Sequence, residues 1–163
     1  MRLKVKNKNI LRMIFLILIL ATFSIIFCFS SQDGNKSKSV SKQVMRTIVE
    51  VNPKTNKLNE TEKEDVVEKS QPVIRKLAHF TIYMLTGILI MGFLSTYDFH
   101  WKKKLTITLI LGILYAISDE IHQLFTGGGR TARIFDVFID FLGVFIGACF
   151  VLVILKLIKK IYK

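Results

Sequence analysis

Four long apolar blocks, separated by polar and charged stretches, organise this chain. The first, Ile10 to Phe29, has about 20 residues, enough to cross a hydrocarbon core of roughly 30 Å as a helix. A second helix is expected to begin near Pro72, where Ser70 can cap and proline tolerates a first-turn position, and to reach Leu94. The third runs from Leu105 to Phe125 and the fourth from Ile134 to Leu157. A soluble fold would spread its apolar residues as short amphipathic periods, so blocks of this length indicate a membrane protein. The expected fold is an all-α integral membrane protein, a bundle of four transmembrane helices with an external polar segment between the first and second.

The pattern divides the chain into a basic cytoplasmic N-terminus (1–9), the first span (10–29), an extracytoplasmic segment (30–71), a region of three spans (72–157) and a basic cytoplasmic tail (158–163). The first block has the basic flank of a signal peptide, but it exceeds the usual cleavable length of about 7 to 15 residues. No small-x-small site follows it, and bulky Ile26 and Phe27 before Cys28 argue against a lipoprotein site. It is read as an uncleaved span. The external segment carries an amphipathic run (Val40, Val44, Ile48, Val51), a break at Asn52-Pro53 and a capping box from Thr61 to Glu64. Two short surface helices are expected there.

Charge changes the picture once it is located. The net charge is +12 although about half the residues are hydrophobic, because the charges sit between the apolar blocks and at both ends. Five basic residues precede the first span's centre (Arg2, Lys4, Lys6, Lys8, Arg12), Lys102 to Lys104 follow the second, and Lys156, Lys159, Lys160 and Lys163 close the chain. The short loop on the other side holds only Arg130 and Arg133. The positive-inside rule then places both termini in the cytoplasm of a multi-pass cell-membrane protein. The basic excess is accounted for by topology, and no phosphate loop, zinc-finger spacing or interleaved aromatic and basic pattern points to nucleic acid. Cys28 and Cys149 fall at different depths and form no disulfide framework.

Charged side chains inside a span cost several kcal/mol unless they pair, face a wet cavity or serve a function. The apolar part of the third block, Leu105 to Ile117, is too short to cross alone, so the helix carries Asp119, Glu120, His122 and Gln123 into the outer half of the membrane. At about 100° per residue, Gly112, Tyr115, Asp119, His122 and Gln123 share one face, with Glu120 beside it. On the fourth helix Asp136, Asp140, Gly143 and Gly147 lie within a narrow arc, so the face suited to close packing also carries two carboxylates. The second span begins outside with Arg75, Lys76, His79 and Tyr83. Three helices thus converge with ionisable groups on the outer side. The candidate site is His79, Tyr83, Asp119, Glu120, His122, Gln123, Arg130, Arg133, Asp136 and Asp140.

Two structural pairs are open from sequence, Arg133 with Asp136 and His79 with Asp119, and buried pairs often fix arrangement more than they add stability. His79, Asp119, Glu120, His122, Asp136 and Asp140 offer nitrogen and oxygen ligands, but no HExxH or comparable spacing marks a metal site. No metal and no other cofactor is expected. Gly127 to Gly129 read as a turn between spans, and Tyr97, Phe99 and Trp101 as an interfacial belt.

The run Arg75 to Tyr83 (RKLAHFTIY), the run Ser118 to Phe125 (SDEIHQLF), then Arg130 and Asp136-Val137 ahead of Gly143 and Gly147, resemble the VanZ family over roughly residues 72–155. Asp140 stands where that family often has asparagine, and the triple glycine replaces a shorter turn. The resemblance implies a small integral membrane protein, the family's named member being associated with resistance to teicoplanin, a lipoglycopeptide. Three functions are carried forward. The first is a non-enzymatic factor that binds a lipid-linked or lipid-anchored anionic molecule at the outer leaflet, such as a cell-wall precursor or the lipoglycopeptide itself. The second is an outward-facing enzyme acting on an envelope lipid, with Asp119 or Glu120 as acid or base and His79 as partner. The third is a transport or assembly component. Membrane lipids are the expected partners, and binding is placed ahead of catalysis.

Overall fold

The computed structural model describes residues 7–126 and 133–161. It consists of α1 (Lys8–Ser30), α2 (Gly34–Val51), α3 (Glu60–Ser95), α4 (Trp101–Leu124) and α5 (Ile134–Ile161), with no strand among the described residues. The expected all-α bundle is what forms. Helices α1, α3, α4 and α5 are each long and apolar enough to span a membrane, which makes this a multi-pass membrane protein. Their apolar surface stays largely outward: Ile17, Leu114, Phe138 and Phe150, for example, are all exposed, as suits contact with lipid tails.

The main departure from expectation is the start of α3. Its first residue is Glu60, not a position near Pro72, and its 36 residues make it about 54 Å long, well beyond a hydrocarbon core. The N-cap is Asn59, whose side chain accepts from Glu62 N at 2.8 Å while the Asn59 backbone N–H donates to the Glu62 carboxylate at 3.1 Å. The capping box is therefore Asn59–Glu62, not Thr61–Glu64. Pro72 lies inside the helix. It denies the Glu68 carbonyl its helical donor, a loss of about 3 kcal/mol in an isolated helix, and packing against α2 offsets it.

That packing gives the external segment its form. Helix α2 runs antiparallel to the first turns of α3, with Val49 and Val67 buried at the seam and Gln71 Nε2 donating to Ser41 Oγ at 2.6 Å. Lys42 pairs with Glu64, and Arg46 reaches both Glu50 and Glu60, along the exposed edge. Its hydrogen bond to the Glu64 carboxylate holds the Lys42 ammonium above the usual lysine range. The two expected surface helices are thus α2 and the extension of α3, joined as a hairpin continuous with a membrane span.

Within the bundle, α3 packs most extensively against α5, and glycine sets the distance. A Cβ on Gly147 would stand 2.1 Å from the Met84 carbonyl oxygen, and one on Gly87 would stand 2.2 Å from that of Val144. The two backbones touch, as small residues permit in membrane helix pairs. At the other end of the bundle Arg12 of α1 donates to the carbonyl and hydroxyl oxygens of Thr96, the C-cap of α3, and lies 3.9 Å over the Tyr97 ring. The start of α1 and the end of α3 therefore share one side. On the opposite side Ser31 meets His122, so the ends of α1 and α4 lie together.

Candidate functional site

Helices α3, α4 and α5 each contribute one ionisable stretch to a small pocket on the Ser31 side of the bundle. Arg75, Lys76 and His79 come from α3, Glu120 and Gln123 from α4, and Asp136, Ile139 and Asp140 from α5. The spacing explains the convergence, since residues three or four apart on a helix lie on one face. Close α3–α5 packing then brings Asp140 under His79.

Asp140 is only 1% exposed, and neither of its oxygens has a hydrogen-bond partner among the described residues. His79 Nδ1 lies 3.7 Å from Oδ1, too long for a hydrogen bond. Asp119 and Glu120 are buried as well. Gln123 Nε2 donates to Asp119 Oδ2 at 3.1 Å, and the backbone N–H of Arg133 donates to Glu120 Oε1 at 2.9 Å, which anchors the start of α5 to α4. Lys76 Nζ pairs with Asp136 Oδ1 at 3.3 Å in a half-buried position. Beneath the pocket Tyr83 is wholly buried, and its hydroxyl lies near the Asp119 and Asp140 carboxylates.

The structure brings together His79, Tyr83, Asp119, Glu120, Gln123, Asp136 and Asp140 of the expected set. Arg133 is exposed, with its backbone N–H on Glu120, and Arg130 lies outside the described residues. His122 does not join the pocket. Its ring stacks on Phe27 with centroids 4.5 Å apart, and its Nε2 is 3.0 Å from Ser31 Oγ, both on the α1 side. Tyr115 turns the same way, stacking on Phe23 and donating to the Phe23 carbonyl. Three residues of helix rotate a side chain by about 300°, so Tyr115 and His122 sit about 60° from Gly112 and Asp119. In a bundle that angle separates two neighbours. The pairing also differs from the two left open by sequence: Asp136 takes Lys76, and His79 closes on Asp140.

Sequence reasoning named Arg75 and Lys76 with His79 at the start of the second span but left them out of the candidate site. It also missed an apolar groove of about 310 Å³ between α1, α2 and α3, lined by Ile26, Phe29, Val40, Val44 and Ile82 among others. Arg75 and His79 line both the groove and the pocket, so the two cavities meet at these side chains. Arg75 makes no ion pair among the described residues.

No curated protein and no solved structure matches the chain significantly. A family profile described as VanZ/LLP1 matches residues 15–156, beginning within α1 and taking in α2 as well as the three helices that build the pocket. With most of its length matched, this chain belongs to the VanZ-like family of membrane proteins.

Proposed function

We propose that this protein binds a lipid-linked or lipid-anchored anionic molecule at the outer leaflet, and so lowers susceptibility to lipoglycopeptides such as teicoplanin. The observation that carries this reading is the meeting of an apolar groove with a polar pocket at Arg75, which makes no ion pair among the described residues. A groove of about 310 Å³ falls within the usual size of small-molecule sites, and its surface is mostly apolar, with Gln32, Ser37 and Ser41 among its lining residues. An acyl or isoprenoid chain lying along Ile26, Phe29, Val40, Val44 and Ile82 brings its head group to Arg75. The planar guanidinium suits bidentate contact with phosphate or carboxylate, and a charge-assisted bond of this kind is about twice as strong as a neutral one. A lipid-linked cell-wall precursor and a lipoglycopeptide share this chemistry of an apolar tail with an anionic head.

A lipid-extraction mass spectrum of the purified protein tests the reading. A stoichiometric anionic polyprenyl or glycolipid species, diminished in Arg75→Gln, is the expected result. Bulk phospholipid alone, unchanged by that substitution, would overturn it.

The orientation is part of the same proposal. Both termini are cytoplasmic, supported by the excess of lysine and arginine at the chain ends and after the second span. In a Cys28→Ser, Cys149→Ser background, a Gly128→Cys variant should react with an impermeant thiol reagent on intact cells, while Lys163→Cys should not. The reverse pattern would put the pocket on the inner side and remove the outer-leaflet reading altogether.

A further inference from the structure

The pocket is an awkward receptor for an anion by itself. Its lining sets the Glu120, Asp136 and Asp140 carboxylates beside Arg75 and Lys76. Two of the buried carboxylates, Asp119 and Asp140, also stand with His79 in an arrangement that suits a cation. One ligand atom each from His79, Asp119 and Asp140 lie within 4.8 Å of one another, on three different helices.

From this geometry we infer that His79, Asp119 and Asp140 form a binding site for one divalent transition-metal ion, Zn²⁺ or Mn²⁺. A further observation points to a ligand there. The Asp140 carboxylate is 1% exposed, and neither oxygen has a hydrogen-bond partner among the described residues. Buried polar groups are ordinarily satisfied, so this orphaned carboxylate marks a missing partner. The pocket that His79 and Asp140 line is of matching scale, about 20 Å³, room for one water or one monatomic ion but not for a phosphate.

The donor set fits in kind, since imidazole favours Zn²⁺ and other late metals while carboxylates favour Mn²⁺ and harder ions. Ligand atoms about 2.1 Å from a tetrahedral ion stand roughly 3.4 Å apart. The His79–Asp140 separation of 3.7 Å therefore needs to contract by only a few tenths of an ångström. Gln123 completes the resemblance to a metal site by holding Asp119 Oδ2, as groups outside the ligand shell commonly hold a liganding carboxylate. Three protein ligands would leave room for a further ligand on the ion, and Arg75 lines the same pocket as His79 and Asp140. The metal site itself rests on the triad and not on the lipid reading.

The test uses the full chain with its tag removed, Cys28 and Cys149 replaced by serine, stripped with chelator and placed in phosphatidylcholine nanodiscs that hold no anionic lipid. Mn²⁺ and Zn²⁺ are titrated separately, Mn²⁺ by loss of the free-ion paramagnetic resonance signal and Zn²⁺ by calorimetry. One equivalent per chain of at least one metal is expected. Asp140→Asn, nearly isosteric, should weaken binding more than 100-fold, and Gln123→Ala about 10-fold, as for other supporting residues. Glu60→Gln, on the external hairpin, should change nothing. If Asp140→Asn does not fold, His79→Gln supplies the same comparison. Absence of a stoichiometric site in the wild type, or affinity unchanged in Asp140→Asn and His79→Gln, would overturn the inference. Because no anionic lipid is present, that failure leaves lipid capture by Arg75 to be judged by its own mass spectrum.

Discussion

Gly147→Ala should destabilise the bundle by about 3 kcal/mol, at the upper end of the usual cost of overpacking. The new methyl carbon would lie 2.1 Å from the Met84 carbonyl oxygen, where ordinary contact begins at 3.4 Å. Backbone cannot swing aside as a side chain can, so α3 and α5 must part by more than an ångström. Parting them loses the close contacts at Gly143, which meets the Phe80 carbonyl, and at Gly87, which meets that of Val144. Between membrane helices no hydrophobic effect compensates, because lipid tails are as apolar as the seam that opens. It also withdraws Asp140 from His79. Gly92→Ala provides the control, since its added carbon would meet only the Phe15 ring, at 2.7 Å, and that ring can rotate. A cost under about 1.5 kcal/mol is expected there. Unfolding in mixed micelles, followed by circular dichroism, measures both. Equal losses at the two positions would show that the α3–α5 seam is not set by backbone contact.

The spans were legible because long apolar blocks have few alternative folds: the structure starts the last helix at Ile134, where the sequence put it, and the first within two residues. The beginning of α3 was not. Ser70-Pro72 is a sound local start signal, and so is Asn59 with Glu62, and local chemistry does not rank them. The burial of Val67 against Val49 decides, and that contact depends on α2 folding back. The site was legible to the level of helical phase, which put Asp119, Asp136, Asp140 and His79 on inward faces. Phase does not name the neighbour. Whether His79 meets Asp119 or Asp140 depends on how near α5 comes to α3, and the glycine seam sets that distance. His122 failed for the same reason, since 60° of rotation lies within the width of one apolar face yet spans the boundary between α1 and α5. The groove was invisible because Ile26, Val40 and Ile82 come from three helices and each reads as an ordinary apolar residue.

Expression of this protein in a susceptible Gram-positive host should raise tolerance to teicoplanin more than to vancomycin. The expectation joins the VanZ-like family membership to the proposed groove. Teicoplanin carries an acyl chain, and insertion into the outer leaflet contributes about 0.8 kcal/mol per buried CH₂. That chain brings the drug to the depth of the groove beside Arg75, whereas vancomycin, lacking the chain, rarely arrives there. A lipid-linked precursor sequestered in the same groove gives the same asymmetry if the drug must reach its target at the membrane surface. A mechanism that altered the peptide target itself would protect against both drugs alike. The decisive variant is Arg75→Gln combined with Asp119→Asn, which removes the cation at the junction and one carboxylate of the pocket. Blotting for membrane-inserted protein must show normal abundance, since a misfolded bundle would also lose the phenotype. With abundance unchanged, the teicoplanin shift should disappear. A shift that persists in the double variant, or equal shifts for the two drugs, would dissociate resistance from the groove and leave the fold without this function.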